Sequence, residues 1–209
     1  MATAPRVKVK ICGMTRLDDA LQAVECGADA VGFIFFRKSP RWAPEKTALS
    51  IVRELPPLVA RVGVFVNESA ERINRLVDRL HLDLVQLHGE ETPAFCRKIR
   101  ARLLKAVRVR DAASLTGLDR YPVDGFLLDA FHAGAYGGTG QVFDWKLSRK
   151  AKAAGPIILA GGLTADNVAA AIVKVRPYGV DVCSGVEKVP GRKDYKKLRD
   201  FFKAVREAD

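Results

Sequence analysis

Side chains capable of acid–base chemistry end two of the short apolar runs in this 209-residue chain. Cys12 follows the run Val7–Ile11 and precedes a glycine and an amphipathic segment. A thiol at a helix N-terminus ionises readily, so Cys12 could act as a base. Asp129 follows Phe126–Leu128, and a partly desolvated carboxyl at such a place can donate a proton. Taken singly, each has an ordinary alternative, a packing cysteine or a turn-capping aspartate.

Glycine-rich turns follow the later apolar runs and suggest a phosphate site. Parallel barrels commonly bind phosphate through backbone N–H groups after strands seven and eight. Glycine lets the backbone approach the oxygens closely. One of these stretches, Gly137–Gly140, lacks the lysine and the spacing of a Walker A motif. The residues we expect around a phosphate are Gly138, Thr139, Gly161, Gly162, Ser184 and Gly185.

Three further residues follow apolar runs and have two interpretations each. Arg41 comes after Ser39 and Pro40, and its guanidinium could pair bidentately with a carboxylate or remain solvated. His88 could transfer a proton or make a structural hydrogen bond, and we assign it no catalytic role. Cys183 follows the eighth run much as Cys12 follows the first. Position alone therefore does not choose between the two thiols.

The arrangement that would bring these residues together is a parallel barrel. Nearly continuous apolar runs are typical of parallel strands buried on both faces, and an amphipathic segment follows each run. At about 26 residues per strand–helix unit, eight units predict an α/β fold, a (β/α)8 TIM barrel forming a single domain over residues 1–209. The residues after each strand then gather at one mouth. The predicted strands are Val7–Ile11, Ala30–Phe35, Arg61–Val66, Leu84–Leu87, Leu103–Val107, Gly125–Leu128, Pro156–Leu159 and Val180–Val182.

An open, doubly wound sheet is the structural alternative. It would more often use five or six strands and a glycine-rich first turn, and Cys12–Arg16 is not such a turn. The helices we expect on the barrel are Leu17–Cys26, Glu45–Leu55, Ser69–Leu80, Pro93–Ala101, Ala112–Leu118, Asp144–Ala153, Asp166–Lys174 and Asp194–Ala204.

Composition narrows the class of protein. The net charge of +11 could indicate a nucleic-acid partner, but the basic residues are spread along helix-like segments, which favours solvated faces and no nucleic acid. No apolar run is long enough for a membrane span, and no secretory signal is evident. The four cysteines are scattered without a C-x-x-C pair. We therefore expect a cytoplasmic protein without a metal site.

The sequence resembles the phosphoribosylanthranilate isomerases of tryptophan biosynthesis from Val9 to about Ala204. The order and spacing of the matching motifs make the resemblance specific. The stretches that carry it are Lys10–Thr15, Gly32–Phe35, Ser39–Arg41, Gly63–Asn67, Val85–Gly89, Leu127–Asp129, Gly137–Gly140, Ala160–Leu163 and Asp181–Glu187.

The resemblance implies an Amadori rearrangement of N-(5-phosphoribosyl)anthranilate that needs no cofactor. Cys12 would be the general base and Asp129 the general acid, while Arg41 would hold the anthranilate carboxylate and the late glycine turns would hold the phosphate. Cys183 departs from the family, which often has serine or another small residue there. We expect it to lie beside the phosphate and its truncation to be nearly silent. The partner would be a small phosphorylated substrate, and the oligomeric state stays open.

Two other functions compete with this one. The histidine-pathway aminoaldose isomerases share the barrel and the chemistry, but they use carboxylates at both catalytic strand ends, which Cys12 argues against. A non-catalytic barrel that binds phosphate or nucleic acid is disfavoured because acid, thiol and guanidinium all fall at the predicted mouth.

Overall fold

The computed structural model describes residues 6–130 and 151–208. Eight parallel strands close into a barrel in chain order, and β1 pairs with β8 to complete it. The predicted (β/α)8 architecture is thereby confirmed. The strands are β1 (Lys8–Cys12), β2 (Ala30–Ile34), β3 (Ala60–Phe65), β4 (Leu84–Leu87), β5 (Arg102–Val109), β6 (Gly125–Ala130), β7 (Ile157–Leu159) and β8 (Gly179–Val182).

Helices pack on the outside of the barrel because one face of each is apolar. In the third helix, Ile73, Leu76, Val77 and Leu80 are buried on one stripe, and the Ser69 hydroxyl accepts a hydrogen bond at the helix start. The helices of the described residues are α1 (Leu17–Cys26), α2 (Glu45–Val52), α3 (Ala70–Leu80), α4 (Pro93–Cys96), α5 (Ala165–Val175) and α6 (Tyr195–Ala208).

Three predicted helices are shorter than expected or absent, and the first of them, Glu45–Leu55, ends at Val52. The helix expected over Pro93–Ala101 ends at Cys96, and residues 97–101 form the turn that leads into β5. The segment Ala112–Leu118 forms 3-10 turns instead of an α-helix. Gly117 separates these turns in a left-handed conformation, with φ of 73°. The predicted helix Asp144–Ala153 falls mostly outside the described residues, and Lys152–Ala154 forms a 3-10 turn.

A small hairpin between β8 and α6 was missing from the sequence prediction. Strand β9 (Glu187–Val189) pairs with β10 (Arg192–Lys193) in antiparallel fashion. The turn between them is Pro190-Gly191, a dipeptide that marks turns, and Gly191 has a φ of 80°. The hairpin matters because it delivers Glu187 and Lys193, both buried, to the carboxyl ends of the barrel strands.

The main hydrophobic core lies between the barrel and its helices. Phe33 and Phe65 from the strands and Phe201 from α6 are among its largest fully buried side chains. This tight packing fixes where each strand ends, and therefore where the polar residues that follow it are placed. Within residues 6–130 and 151–208, no helix combines the length and the apolar character needed to cross a membrane.

Candidate active site

A cavity of about 510 Å³ opens at the carboxyl ends of the strands. It brings together every predicted site residue that the structure describes. These residues are Cys12, Arg41, Asp129, Gly161, Gly162, Ser184 and Gly185. Gly138 and Thr139, which we also expect at the phosphate, lie outside the described residues.

Cys12 ends β1 and is buried beside the ammonium group of Lys10, which is also buried. The Lys10 ammonium is 2.8 Å from the Asp181 carboxylate, and burial disfavours that ammonium, but Asp181 and Cys12 outweigh the penalty and raise the Lys10 pKa. Gly32 of the next strand leaves room for both side chains, since a Cβ there would lie 2.9 Å from Cys12 Sγ and 3.2 Å from Lys10 Nζ. Cys12 is thus a thiol held next to a permanent cation.

The Cys183 thiol lies against Cys12, a contact that the sequence did not predict. Its hydrogen bond is the largest influence on Cys12; with the charge of Lys10 it outweighs burial and lowers the Cys12 pKa to about 6. The same contact, together with burial, raises the pKa of Cys183. The contact therefore favours ionisation of Cys12 over ionisation of Cys183. This contact argues against the expectation that truncation of Cys183 is nearly silent.

Asp129 sits near the end of β6 in a buried chain of hydrogen bonds. Its Oδ2 is 3.2 Å from His88 Nε2, and His88 Nδ1 is 2.8 Å from Gln86 Nε2. Asp129 is only 3% exposed and Gln86 only 1%. His88 thus contacts the carboxyl directly, which sequence position had left undecided.

Arg41 lines the cavity but is already engaged by a carboxylate of the protein. Its Nε and Nη2 bond both oxygens of Glu187, at 2.8–3.0 Å. Lys193 is 3.2 Å from the same carboxylate and also donates to the carbonyl oxygens of Cys12 and Cys183. Burial would raise the Glu187 pKa, but Arg41 and Lys193 lower it. Arg41 is therefore a fixed guanidinium, and only its Nη1 has no hydrogen bond to a described residue.

Two glycine turns form the wall on the β7 and β8 side. Gly161 and Gly162 have φ values of 80° and 67°, a conformation that other residues adopt at a cost. Among the described residues, none accepts a hydrogen bond from their amide nitrogens. Gly185 has no space for a side chain, since a Cβ would lie 1.9 Å from the Leu163 carbonyl oxygen. These turns expose backbone where an anion can approach it.

Comparison with known proteins identifies the family. The sequence model of the protein family described as N-(5'-phosphoribosyl)anthranilate (PRA) isomerase matches residues 9–204. The chain belongs to the N-(5'-phosphoribosyl)anthranilate isomerase family. A family member from Pelobacter propionicus is 54% identical over 201 residues, which cover 96% of each chain. The resemblance inferred from the motifs is confirmed.

Solved structures of the family superpose on this fold. The phosphoribosyl anthranilate isomerase of Thermotoga maritima gives a TM-score of 0.89 at 45% identity, covering 96% of this chain and 99% of that one. A phosphoribosyl anthranilate isomerase in complex with reduced 1-(o-carboxyphenylamino)-1-deoxyribulose 5-phosphate gives 0.87 at 44% identity, with the same coverage.

Several residues that shape the site were missed by the sequence analysis. Lys10, Gln86 and Asp181 lie inside strands that were interpreted only as apolar runs, although a charge or amide inside such a run is itself a signal. Glu187 and Lys193 were missed because the hairpin that carries them was not predicted. Within the described ranges, no three His, Cys, Asp or Glu side chains are grouped closely enough to hold a metal ion.

Proposed function

We propose that this cavity performs the isomerisation for which the family is named, with Cys12 as base and Asp129 as acid. The substrate would be N-(5-phosphoribosyl)anthranilate and the product 1-(2-carboxyphenylamino)-1-deoxyribulose 5-phosphate. The observation that carries the proposal is that a thiol with a pKa near 6 and a buried carboxyl line one cavity. A base that is ionised at neutral pH and an acid that shares its cavity are what this reaction requires.

Two proton transfers open the ring and form an enaminol. Asp129 gives a proton to the ring oxygen of the furanose, and the ring opens to an iminium ion. The iminium acidifies the neighbouring C2′–H, and the Cys12 thiolate removes that proton. The enaminol so formed tautomerises to the ketone, losing its O2′ proton and gaining a proton at C1′, and exchange with solvent returns Asp129 and Cys12 to their starting protonation states. Two electrons move from C2′ to C1′ within the substrate, so no external oxidant or reductant takes part.

The other residues of the cavity account for binding. The exposed backbone of Gly161, Gly162 and Gly185 would hold the phosphate. Because Glu187 occupies one edge of Arg41, the anthranilate carboxylate would meet the Nη1 side. Glu187 then serves to fix the guanidinium in place, and its own charge is compensated by Lys193. Gly138 and Thr139 remain part of this proposal, as further phosphate contacts.

The proposed cytoplasmic compartment and the net positive charge of the chain agree with the same function. All four cysteines are free thiols, which supports a reducing cytoplasm as the working compartment. The net charge of +11 favours approach of an anionic substrate. A small phosphorylated molecule is the partner we propose, and nothing in the described residues requires nucleic acid.

A direct test distinguishes the proposed reaction from the aminoaldose isomerisation of histidine biosynthesis. Turnover of each substrate is measured in parallel, the anthranilate substrate by the loss of its fluorescence. We expect activity on the anthranilate substrate alone. Turnover of the histidine-pathway substrate at a comparable kcat/KM would overturn the assignment, and absence of both activities would favour a binding protein.

Two variants test the acid and the base. Cys12→Ala and Asp129→Asn should each lower kcat by roughly 10²–10⁴-fold, the usual contribution of one general acid or base. Binding of a reduced product analogue should survive in both, because the phosphate and carboxylate contacts remain. Cys26→Ala, which removes a thiol from α1 outside the cavity, is the matched control. A folded Cys12→Ala protein with near wild-type kcat would remove the base from this mechanism.

A further inference from the structure

Three buried polar side chains form a row from β4 to β6, and the proposed mechanism uses only the last of them. Gln86 and His88 are two residues apart, so they project from the same side of the strand. Gln86 Nε2 contacts His88 Nδ1, and His88 Nε2 contacts Asp129 Oδ2. Gln86 Oε1 is buried and has no hydrogen-bond partner among the described residues. Hydrogen-bond donation along the row therefore begins at the Gln86 Nε2 group.

This direction fixes the tautomer of His88. The Gln86 Nε2 group can only donate, so His88 Nδ1 must be the unprotonated, accepting nitrogen. The proton of a neutral His88 then lies on Nε2, and it is donated to Asp129 Oδ2. The opposite tautomer would direct an Nε2 lone pair at the carboxylate after Asp129 has given up its proton. Only the Nε2–H tautomer of the neutral imidazole keeps its hydrogen bond to Asp129 before and after that step.

We infer that Gln86 and His88 are positioning residues that confine the transferable proton of Asp129 to Oδ1. Oδ2 is occupied as an acceptor by His88 Nε2–H, so the carboxyl proton is placed on the other oxygen. Asp129 lines the cavity, and no described residue is hydrogen-bonded to its Oδ1. This inference rests on the proposed role of Asp129 as the acid. It adds that Gln86 and His88 select the oxygen that carries the proton.

Of the charged side chains in the described residues, only Asp129 is hydrogen-bonded to the His88 imidazole. Lys105 pairs with Glu91 at 3.0 Å and donates to the Leu87 and Gly89 carbonyl oxygens on either side of His88. That pair is internally compensated and does not bond the imidazole. The other titratable side chains that line the cavity are Cys12, Lys38, Arg41, Asp181 and Cys183.

The tautomer can be read directly from nitrogen NMR of protein labelled at histidine. The chain has three histidines, and His88→Gln identifies the signal of His88 by its disappearance. We expect a protonated Nε2 and an unprotonated Nδ1 in the wild-type protein. A protonated Nδ1 with an unprotonated Nε2 would overturn the inference. Because this spectrum requires no turnover, it stays decisive even if Asp129 proves not to be the acid.

Kinetics then test whether the hydrogen bond matters. His88→Leu should lower kcat by roughly 10-fold or more, the effect of losing a hydrogen bond to a charged group, with KM within about twofold. His88→Gln can still present an N–H near the position of Nε2, so we expect it to recover most of that loss. Gln86→Leu should leave the NMR signal of His88 as a mixture of tautomers and lower kcat less than His88→Leu.

The control is His81→Gln at the C-terminal end of α3, outside the cavity, which should leave kcat and KM unchanged. A merely structural role for His88 would lower the melting temperature or raise KM without a specific effect on kcat. Folded His88→Leu protein with wild-type kcat would therefore refute the inference. Equal activity losses in His88→Gln and His88→Leu would refute it too.

Discussion

Cys183 should set the pH at which the proposed base becomes active. A side-chain hydrogen bond with Cys183 is the largest cause of the low Cys12 pKa, and the same Cys183 sulfur lies 4.0 Å from Glu187 Oε1. The thiolate is the active form, so activity is lost as pH falls through the Cys12 pKa. Cys183→Ala removes the donor and raises this pKa. The loss should then begin at a higher pH.

The size of the shift in the Cys12 pKa follows from the free energy that one hydrogen bond to a charged group contributes. Such a bond contributes roughly 1.5–3 kcal/mol, which equals about one to two pH units. Starting from a pKa of about 6, the variant should titrate at about 7–8, with Lys10 still stabilising the thiolate. The thiolate fraction at pH 7 then drops from about nine-tenths to between about a half and a tenth. We expect kcat/KM at pH 7 to fall about 2–10-fold.

The assay is the rate at which iodoacetamide alkylates Cys12 as a function of pH, with the modified residue identified by mass spectrometry. Cys183→Ser is the matched variant, because a hydroxyl can still donate to the thiolate, and it should shift the titration by less than Cys183→Ala. The rising limb of kcat/KM should move with the alkylation profile. The substrate phosphate titrates near pH 6 and is common to all variants, so the comparison between variants is unaffected.

An unmoved titration in Cys183→Ala would refute this account of the base. The low Cys12 pKa would then have to come from Lys10 alone. Such a result would also restore the simpler expectation from the sequence, in which truncation of Cys183 is nearly silent.

Two further variants test substrate binding. Arg41→Ala removes the guanidinium that would pair with the anthranilate carboxylate, and it leaves Glu187 with Lys193 alone. Truncating one partner of a buried charge pair costs about 2–5 kcal/mol. We therefore expect kcat/KM to fall strongly for the anthranilate substrate and much less for an analogue without the carboxylate. Equal losses for both would show that Arg41 only supports the hairpin. Gly162→Val introduces a β-branched residue at a φ of 67° and crowds the proposed phosphate site, so KM should rise in steady-state assays. If KM stays unchanged in folded protein, the phosphate binds elsewhere.

The barrel could be predicted from the sequence because its signal is local. Strands β1 to β8 are short apolar runs separated by amphipathic segments, and that periodicity survives in any tertiary context. The positions of Cys12 and Asp129 followed for the same reason, since a residue that ends a parallel strand must lie at the mouth. The early end of α4 was not predictable, because Ile99 packs into the core from the connection that follows the helix, so the apolar pattern continues past Cys96.

Only the tertiary structure decided which side chains touch across the barrel. Lys10 contacts Asp181, Cys12 contacts Cys183, and His88 contacts Asp129, and each of these pairs joins residues distant in the sequence. Pattern and spacing report which way a residue faces along its own strand. They do not report what faces it from another strand, because that depends on barrel closure and on the register of eight strands at once. The sequence therefore determined the barrel and the candidate acid and base, while the folded chain determined which groups contact them.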